Sequence, residues 1–152
     1  MRKLFFLSIV FFAIFFNGCA SVKMASMEES NQAKEFNLPE SGKAGLYFYR
    51  DSAVGAALKK NIYINDRCIG ETASKVFFYE QVDGDKEYKL STESEFSNND
   101  LLLKVQSGKN YFIRQYIKLG VFVGGANLEI INEDEAKEAI LKLGLAVKGT
   151  CN

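Results

Sequence analysis

Histidine and tryptophan are absent from this sequence of 152 residues, and proline occurs only once. Without an imidazole, the chain has no Ser-His-Asp or Cys-His pair for nucleophilic catalysis and no zinc site built on histidine. An excess of either charge is also missing, because 19 Lys and Arg balance 19 Asp and Glu. Nucleic acid as the main partner normally requires a basic face, so this balance argues against it. We predict no catalytic residues, no metal site and no cofactor.

The residues that are present have the composition of one globular domain. Hydrophobic residues make up 47% of the chain and charged residues 25%, which is typical of a folded protein and not of a disordered one. The length fits a single domain. Thirteen Phe and seven Tyr, together with the scarcity of proline, favour β-strands.

An apolar run over residues 4–16 follows the positive charges of Arg2 and Lys3 and contains Ser8 as its one polar residue. The run is too short to span a bilayer, which takes ~20 residues, and fits the ~7–15 apolar residues of a secretory signal peptide. A buried core helix is the alternative. We predict that residues 1–18 are a signal peptide and that the rest of the chain is exported.

The residues that end this run, Phe16-Asn17-Gly18-Cys19-Ala20-Ser21, resemble a bacterial lipobox. Gly18 and Cys19 match the pattern, whereas the Phe and Asn before them depart from it. The resemblance implies that Cys19 becomes the mature N-terminus and carries acyl chains such as palmitate, which hold a protein on a membrane when two or three are present. Ala20, directly after the cysteine, resembles the residue at this position in outer-membrane lipoproteins that face the periplasm. Ordinary signal cleavage after Ala20 is the alternative.

Two further cysteines, Cys68 and Cys151, form an even remainder that is compatible with a disulfide in an exported protein. The bond would join residues 83 positions apart. Chain-entropy arguments give such a loop ~4–5 kcal/mol of stabilisation if its geometry is unstrained. The alternative is a buried free Cys68 and a loose Cys151.

Residues 19–42 are rich in Ser, Glu, Lys, Asn and Gln and contain few apolar side chains. We predict that this segment is a flexible tether, in which residues 28–35 are transiently helical. A flexible chain of about 22 residues has a root-mean-square reach of ~25 Å, enough to hold a domain just off a lipid surface.

From Lys43 onward, apolar residues recur with a period of two, which predicts strands. The strands are expected over 45–50, 61–64, 68–71, 75–82, 87–93, 101–106, 111–119 and 127–131. Hairpin turns are predicted at Asn65-Asp66, Asp83-Gly84 and 107–110. Asn132 as N-cap and Gly144 as stop bound one helix, about 133–143. We predict a mainly β fold over 43–152, a single small β-sandwich of about eight short strands with one C-terminal helix.

Several stretches between Gly45 and Leu143 have distinctive sequences. They are the aromatic strand 46–50, the segment 54–58, the strand and turn 62–66 with Ile69-Gly70, the segment 107–112 and the glycine-rich segment 120–125. Together they resemble domain of unknown function 2846, a family of bacterial lipoproteins. Residues 62–66 and Asp83-Gly84 are also similar to PEGA-type β modules, although Asp66 replaces their usual glycine. The resemblance implies a small lipid-anchored β domain, and neither family supplies catalytic residues.

Two apolar stretches that contain glycine are the main candidates for a binding site. If they lie at one end of the sandwich, they form a docking patch for an envelope protein, a lipid or a glycan. The alternative is a bulged strand and a loop packed into the core. The candidate patch consists of Val54, Gly55, Leu58, Gly120, Val121, Phe122, Val123, Gly124 and Gly125.

Tyr47 and Tyr49 share one face of the first strand, where exposed tyrosines would bind sugar rings or protein. Cross-strand packing explains them equally well. Glu93, Glu95 and Asp100 would supply the acid–base pair of a hydrolase, but acidic residues in a polar loop are usually solvated. The sequence therefore predicts a lipid-anchored envelope protein with a non-enzymatic interaction or structural role. A carrier of a small lipid or glycan is the alternative, and an envelope hydrolase is less favoured.

Overall fold

The computed structural model describes residues 20–121, 124–149 and 151, which form a two-layered β-sandwich with helices on one outer face. In chain order the elements are α1 (Met27–Ala33), β1 (Lys43–Arg50), β2 (Lys60–Ile64), β3 (Arg67–Thr72), β4 (Val76–Asp83), β5 (Glu87–Thr92), β6 (Asn99–Lys104), β7 (Asn110–Lys118), β8 (Gly125–Ile131), α2 (Glu133–Ile140) and β9 (Gly144–Leu145). The predicted mainly β sandwich is confirmed, with nine strands and two helices among the described residues. The predicted signal peptide, residues 1–18, and Cys19 lie outside them.

One sheet has the strand order β8-β7-β1-β4-β9 and the other the order β3-β2-β5-β6. The central strand β1 runs antiparallel to β4 and parallel to β7. From Ala44 to Arg50 every residue of β1 is buried. A continuous apolar run of this kind is typical of a strand that is covered on both faces.

The two faces of β1 belong to different cores. Leu46 and Phe48 point between the two sheets, where they join Ile62, Phe78 and Leu90. A second core lies on the outer face of the larger sheet and is covered by the helices. Its buried members are Tyr47, Tyr49, Phe77, Phe112, Ala136, Ile140 and Leu143. The alternation along one strand thus supports both the sandwich and the helical layer.

Helix α2 begins as the sequence predicts. The side chain of Asn132 accepts a hydrogen bond from the Glu135 N–H at 3.0 Å, and Glu133 and Asp134 lie in the first turn, where the helix dipole favours anions. The helix ends at Ile140, and the chain continues into β9, which pairs in parallel with β4. Neither helix of the described residues is long and apolar enough to cross a membrane.

The expectation of a flexible tether over 19–42 is corrected for residues 20–42. Ser26 and Glu29 form a capping box that starts α1, and the ring of Phe36 packs 5.4 Å from that of Tyr47, measured between centroids. Ala25 donates its N–H to the Leu145 carbonyl oxygen at 2.9 Å. The apolar residues of the segment are few, but they cover an aromatic surface of the sheet, and this burial holds the segment in place.

Two of the three predicted hairpins are also corrected. Asn65 and Asp66 do form the tight turn between β2 and β3, both with positive φ angles of 47° and 64°. By contrast, Asp83-Gly84 connects β4 to β5, which lie in different sheets, and the turn over 107–110 connects β6 to β7 in the same way. The N–H of Gly84 instead bonds the Gly42 carbonyl oxygen at 2.8 Å. Both turns were located correctly, but each one carries the chain from one sheet to the other and does not connect two paired strands.

Candidate functional site

The two glycine-containing stretches of the candidate patch meet at one end of the sandwich. A Cβ atom added to Gly124 would lie 2.7 Å from Cδ1 of Leu58, and one added to Gly55 would lie 2.9 Å from Cγ1 of Ile117. Gly55 also has a φ angle of +66°, which side chains rarely adopt. Gly55 is therefore required for the close approach of the β1–β2 loop to the end of β7, and Gly124 leaves room there for the side chain of Leu58.

A third loop, residues 93–98 between β5 and β6, joins this end. The Ala126 N–H donates to the Glu93 carbonyl oxygen at 2.9 Å, and the Val121 N–H donates to the Glu95 carboxylate at 2.7 Å. A Cβ on Gly125 would lie 2.7 Å from Oγ of Ser94. We call these connected loops, residues 51–59, 93–98 and 119–121 together with Gly124, the three-loop end; residues 122 and 123 lie outside the described part of the chain.

Arg50, the last residue of β1, lies beneath the loop 51–59 of the three-loop end and binds its main chain. Its guanidinium has no solvent exposure and donates to the carbonyl oxygens of Leu58 at 2.8 Å, Gly55, and Val54 at 3.4 Å. Burial lowers the pKa of Arg50 from its ordinary value. A guanidinium keeps its charge in proteins, so these bonds to carbonyl dipoles fix the loop 51–59 on the strand.

The outer surface of the three-loop end carries large apolar side chains in solvent. Leu119 is 97% exposed, Phe96 80%, Val121 77% and Val54 58%. We call these four side chains the apolar rim. Val54 and Val121 belong to the patch predicted from sequence, whereas Phe96 and Leu119 do not. Phe96 is a single apolar residue inside a polar turn, and Leu119 was predicted to be the last residue of the strand 111–119.

The remaining members of the predicted patch differ in position. Gly120 is exposed, Gly55, Leu58 and Gly124 are half-buried, and Gly125 is buried. Phe122 and Val123 lie outside the described residues. The glycines thus shape the loops, while the exposed apolar area belongs to their neighbours.

The chain reaches back to this end through its first described residue. The N–H of Ala20 donates to the Ala56 carbonyl oxygen at 2.9 Å, in the middle of the loop 51–59. A few residues later, Met24 forms a β-bridge with Ala146. The chain therefore runs from the three-loop end along the flank of the sandwich before it enters α1.

The predicted tyrosine face is not exposed. Tyr47 is 1% and Tyr49 0% exposed, because α1 and α2 cover this face of the sheet. The hydroxyl of Tyr47 donates to the Ala33 carbonyl oxygen at 3.1 Å, and burial raises the pKa of Tyr47 above its usual range. Burial likewise raises the pKa of Tyr49 to about 12. Both side chains are core residues, as the packing alternative proposed.

Two of the acidic residues considered for hydrolysis accept hydrogen bonds from amide groups. The Glu93 carboxylate accepts bonds from the main-chain N–H of Asn61 at 3.1 Å and from its side-chain amide at 3.0 Å. The Glu95 carboxylate accepts the Val121 N–H, and Asp100 lies exposed on β6. Glu93 and Glu95 thus bind different amide groups around the loop 93–98.

A groove of about 630 Å³ lies elsewhere, between α1, β4 and β9. Tyr47, Tyr79 and Gln81 form its floor, and the exposed Leu38 stands at its edge. None of the residues that line it belongs to the three-loop end.

Cys68 on β3 and Cys151 are joined by a disulfide, with their Cα atoms 6.0 Å apart. The tail that carries Cys151 follows the sandwich closely. Gly149 donates its N–H to the Ile69 carbonyl oxygen at 2.7 Å, and Val147 donates to that of Lys23 at 2.8 Å. Of the two alternatives, the structure contains the bonded one.

Comparison with known proteins gives two matches. The model of a family described as "Protein of unknown function (DUF2846)" matches residues 40–126, a range that contains β1 to β7 and the three-loop end. An "Uncharacterized protein" of Haemophilus influenzae (strain ATCC 51907 / DSM 11121 / KW20 / Rd) is 61% identical over 140 residues, which are 92% of this chain and 83% of the relative. No solved structure matches.

Proposed function

Because the chain belongs to the DUF2846 family of proteins of unknown function, whose description specifies no activity, we propose from its own residues that it is a lipid-anchored envelope lipoprotein with a non-enzymatic interaction or structural role. Cys19 would carry the acyl chains, and the domain would face the periplasm from the outer membrane. The partner is an envelope protein, a glycan or a lipid.

The observation that carries this proposal is the hydrogen bond between Ala20 and Ala56. Main-chain pairing of the domain extends to the residue directly after Cys19. A chain processed at Cys19 therefore keeps every described contact of the fold and has its lipid at the surface of the domain. Cleavage after Ala20, the competing interpretation, would remove this contact.

The disulfide between Cys68 and Cys151 supports export. Such bonds persist in oxidising compartments, of which the bacterial periplasm is one, and are rare in the cytosol. A non-enzymatic role is supported by Glu93 and Glu95, whose carboxylates accept hydrogen bonds from Asn61 and Val121 and thereby order the loops.

The test is the intact mass of the protein extracted from membranes. We expect the mass of residues 19–152 plus two or three acyl chains, and an unlipidated product from the Cys19→Ala variant. A native mass without acyl chains, unchanged by Cys19→Ala, would refute the anchor. The same spectrum with and without reductant reports on Cys68 and Cys151 through a difference of two hydrogens.

A carrier of a small lipid or glycan is the second candidate, and the groove beside α1 favours it. Its volume of about 630 Å³ lies within the ~300–1,000 Å³ of small-molecule sites, and two tyrosines line it. Native mass spectrometry of the purified protein tests this role. A bound small molecule that is lost from Tyr79→Ser and kept in Phe96→Ser would support a carrier; protein that is always empty would count against it.

A further inference from the structure

We propose that the three-loop end lies directly against the lipid leaflet that holds the acyl chains of Cys19, with the apolar rim in the membrane interface. The rim would thus bind the same membrane in which the protein is anchored. This inference rests on the proposed lipidation of Cys19, and it replaces a domain held off the membrane on a tether by a domain docked on it in one orientation.

The first step is covalent geometry. Neighbouring Cα atoms are ~3.8 Å apart across a trans peptide bond, so lipid attached to Cys19 starts one residue from Ala20. Ala20 is bonded to the loop 51–59 and cannot move away from it without losing that contact. The lipid attachment point and the three-loop end are therefore neighbours.

The second step is the surface that lies there. Val54, Phe96, Leu119 and Val121 come from three loops that contact one another, and each is more than half exposed. An apolar surface next to acyl chains is buried when the domain settles by ~5–10 Å into the boundary between headgroups and chains. Lys118, exposed beside Leu119, adds a positive charge that anionic lipid headgroups attract.

The third step concerns the negatively charged side chains at the three-loop end. Two carboxylates of this end accept hydrogen bonds from amides, Glu93 from Asn61 on β2 and Glu95 from the Val121 N–H. The bond to Val121 lies within the rim itself, so one carboxylate orders the loop that carries Leu119 and Val121. Arg50 similarly holds the loop that carries Val54. The rim is consequently preformed.

The fourth step is the contrast with the other end of the sandwich. Strand β1 runs from Lys43, which pairs in register with Asp83, to Arg50, a length of roughly 23 Å. Around Lys43 the surface is charged. Lys43 and Lys86 each lie 2.7 Å from Asp83, and Lys89 lies 2.7 Å from Asp66. We call this the polar end; it points into the periplasm when the rim is on the lipid.

The experiment uses the full lipidated chain, extracted from membranes and reconstituted into vesicles of phosphatidylethanolamine and phosphatidylglycerol. Single cysteines are introduced by Leu119→Cys and Phe96→Cys and labelled with a polarity-sensitive fluorophore. Leu102→Cys is the matched control, because Leu102 is also an exposed leucine, 64%, but lies on β6. Lys86→Cys reports on the polar end.

We expect a blue shift of the emission and quenching by spin-labelled lipid at the two rim positions, and neither effect at Leu102 or Lys86. Equal quenching at Leu119 and Leu102 would overturn the inference. A rim signal that appears only at a high ratio of protein to lipid would assign the surface to a second copy of the chain and also overturn it. So would rim protection in whole envelopes that is absent from vesicles, which indicates a protein partner.

The intact mass of each labelled sample separates the two levels of the argument. If Cys19 carries no acyl chains, the proposed anchor fails. If Cys19 is acylated and the Leu119 probe stays in water, the lipoprotein stands and the docked orientation fails.

Discussion

The guanidinium of Arg50 lies without solvent exposure beneath a surface loop and donates to the Leu58 carbonyl oxygen at 2.8 Å. A buried cation that bonds main-chain carbonyl oxygens ties the loop to the end of a core strand. It thereby connects the packing of the sandwich to the position of the rim.

The Arg50→Met variant tests this connection. It keeps an apolar stem and removes the bonds to the loop 51–59, so we expect the free energy of unfolding to fall by about 3 kcal/mol, measured in urea. Arg67→Met is the matched control. Arg67 is an exposed arginine paired with Glu80 at 2.8 Å, and its loss is expected to cost under about 1 kcal/mol. Equal effects of the two changes would contradict the role given to Arg50.

The segment before β1 gives a second prediction. Phe36→Ala removes a ring that lies 5.4 Å from Tyr47 and 6.1 Å from Phe112, and we expect a loss of about 2–3 kcal/mol, below that of a fully buried Phe. Leu38→Ala, at a side chain that is 78% exposed, is expected to change stability by less than about 0.5 kcal/mol. Hydrogen exchange of α1 should accelerate in the first variant alone. Fast exchange of α1 in the unaltered protein would restore the flexible tether.

The disulfide gives a third prediction. Reduction, or the Cys151→Ser change, frees the tail and enlarges the unfolded ensemble, so we expect a loss of about 2–5 kcal/mol in the free energy of unfolding. Reductant should have no further effect on Cys151→Ser. Urea curves that coincide for oxidised and reduced protein would contradict a net stabilisation by the bond.

The polar end gives a fourth prediction, on pH. Hydrogen bonds and charge from Lys43 and Lys86 lower the pKa of Asp83 from 3.8 to about 2. The folded pKa is below the unfolded one, so Asp83 contributes stability above about pH 4 that is lost as the pH falls towards about 2. We expect Asp83→Asn to reduce stability at neutral pH and to flatten this acid limb in urea unfolding. An unchanged limb would mean that Asp83 is not one of the groups responsible for it.

The sequence predicted those features that depend on neighbouring residues. The Asn65-Asp66 turn, the Asn132 cap and the alternation of β1 are local, and the structure contains each of them. The Asp83-Gly84 turn was recognised as a turn, but its strands separate into different sheets. A Cβ on Gly84 would lie 2.2 Å from Oγ of Ser107, a contact between distant residues that no local pattern contains.

The dependence on contacts between distant residues also explains why the order of residues 20–42 and part of the candidate site were not predicted. Phe36 is a single aromatic residue in a polar segment. Its contribution to stability comes from covering the rings of Tyr47 and Phe112, which lie far from it in sequence. The glycines near 55 and 124 were recognised as unusual, and their mutual contact follows from the fold. Phe96 and Leu119 could not be identified, because the exposure of an apolar residue in a turn or at a strand end is decided by the loops around it.

The bridge between Met24 and Ala146 has a consequence for how the chain matures. Residues 23–25 take their main-chain partners from residues 145–147. In the proposed export with the N-terminus leading, nearly the whole chain must therefore emerge before residues 23–25 can pair. Contacts between such distant positions form slowly. Acylation of Cys19 would therefore act on an unpaired, accessible N-terminal segment, and the later arrival of Ala146 would draw the acylated end onto the flank of the finished domain.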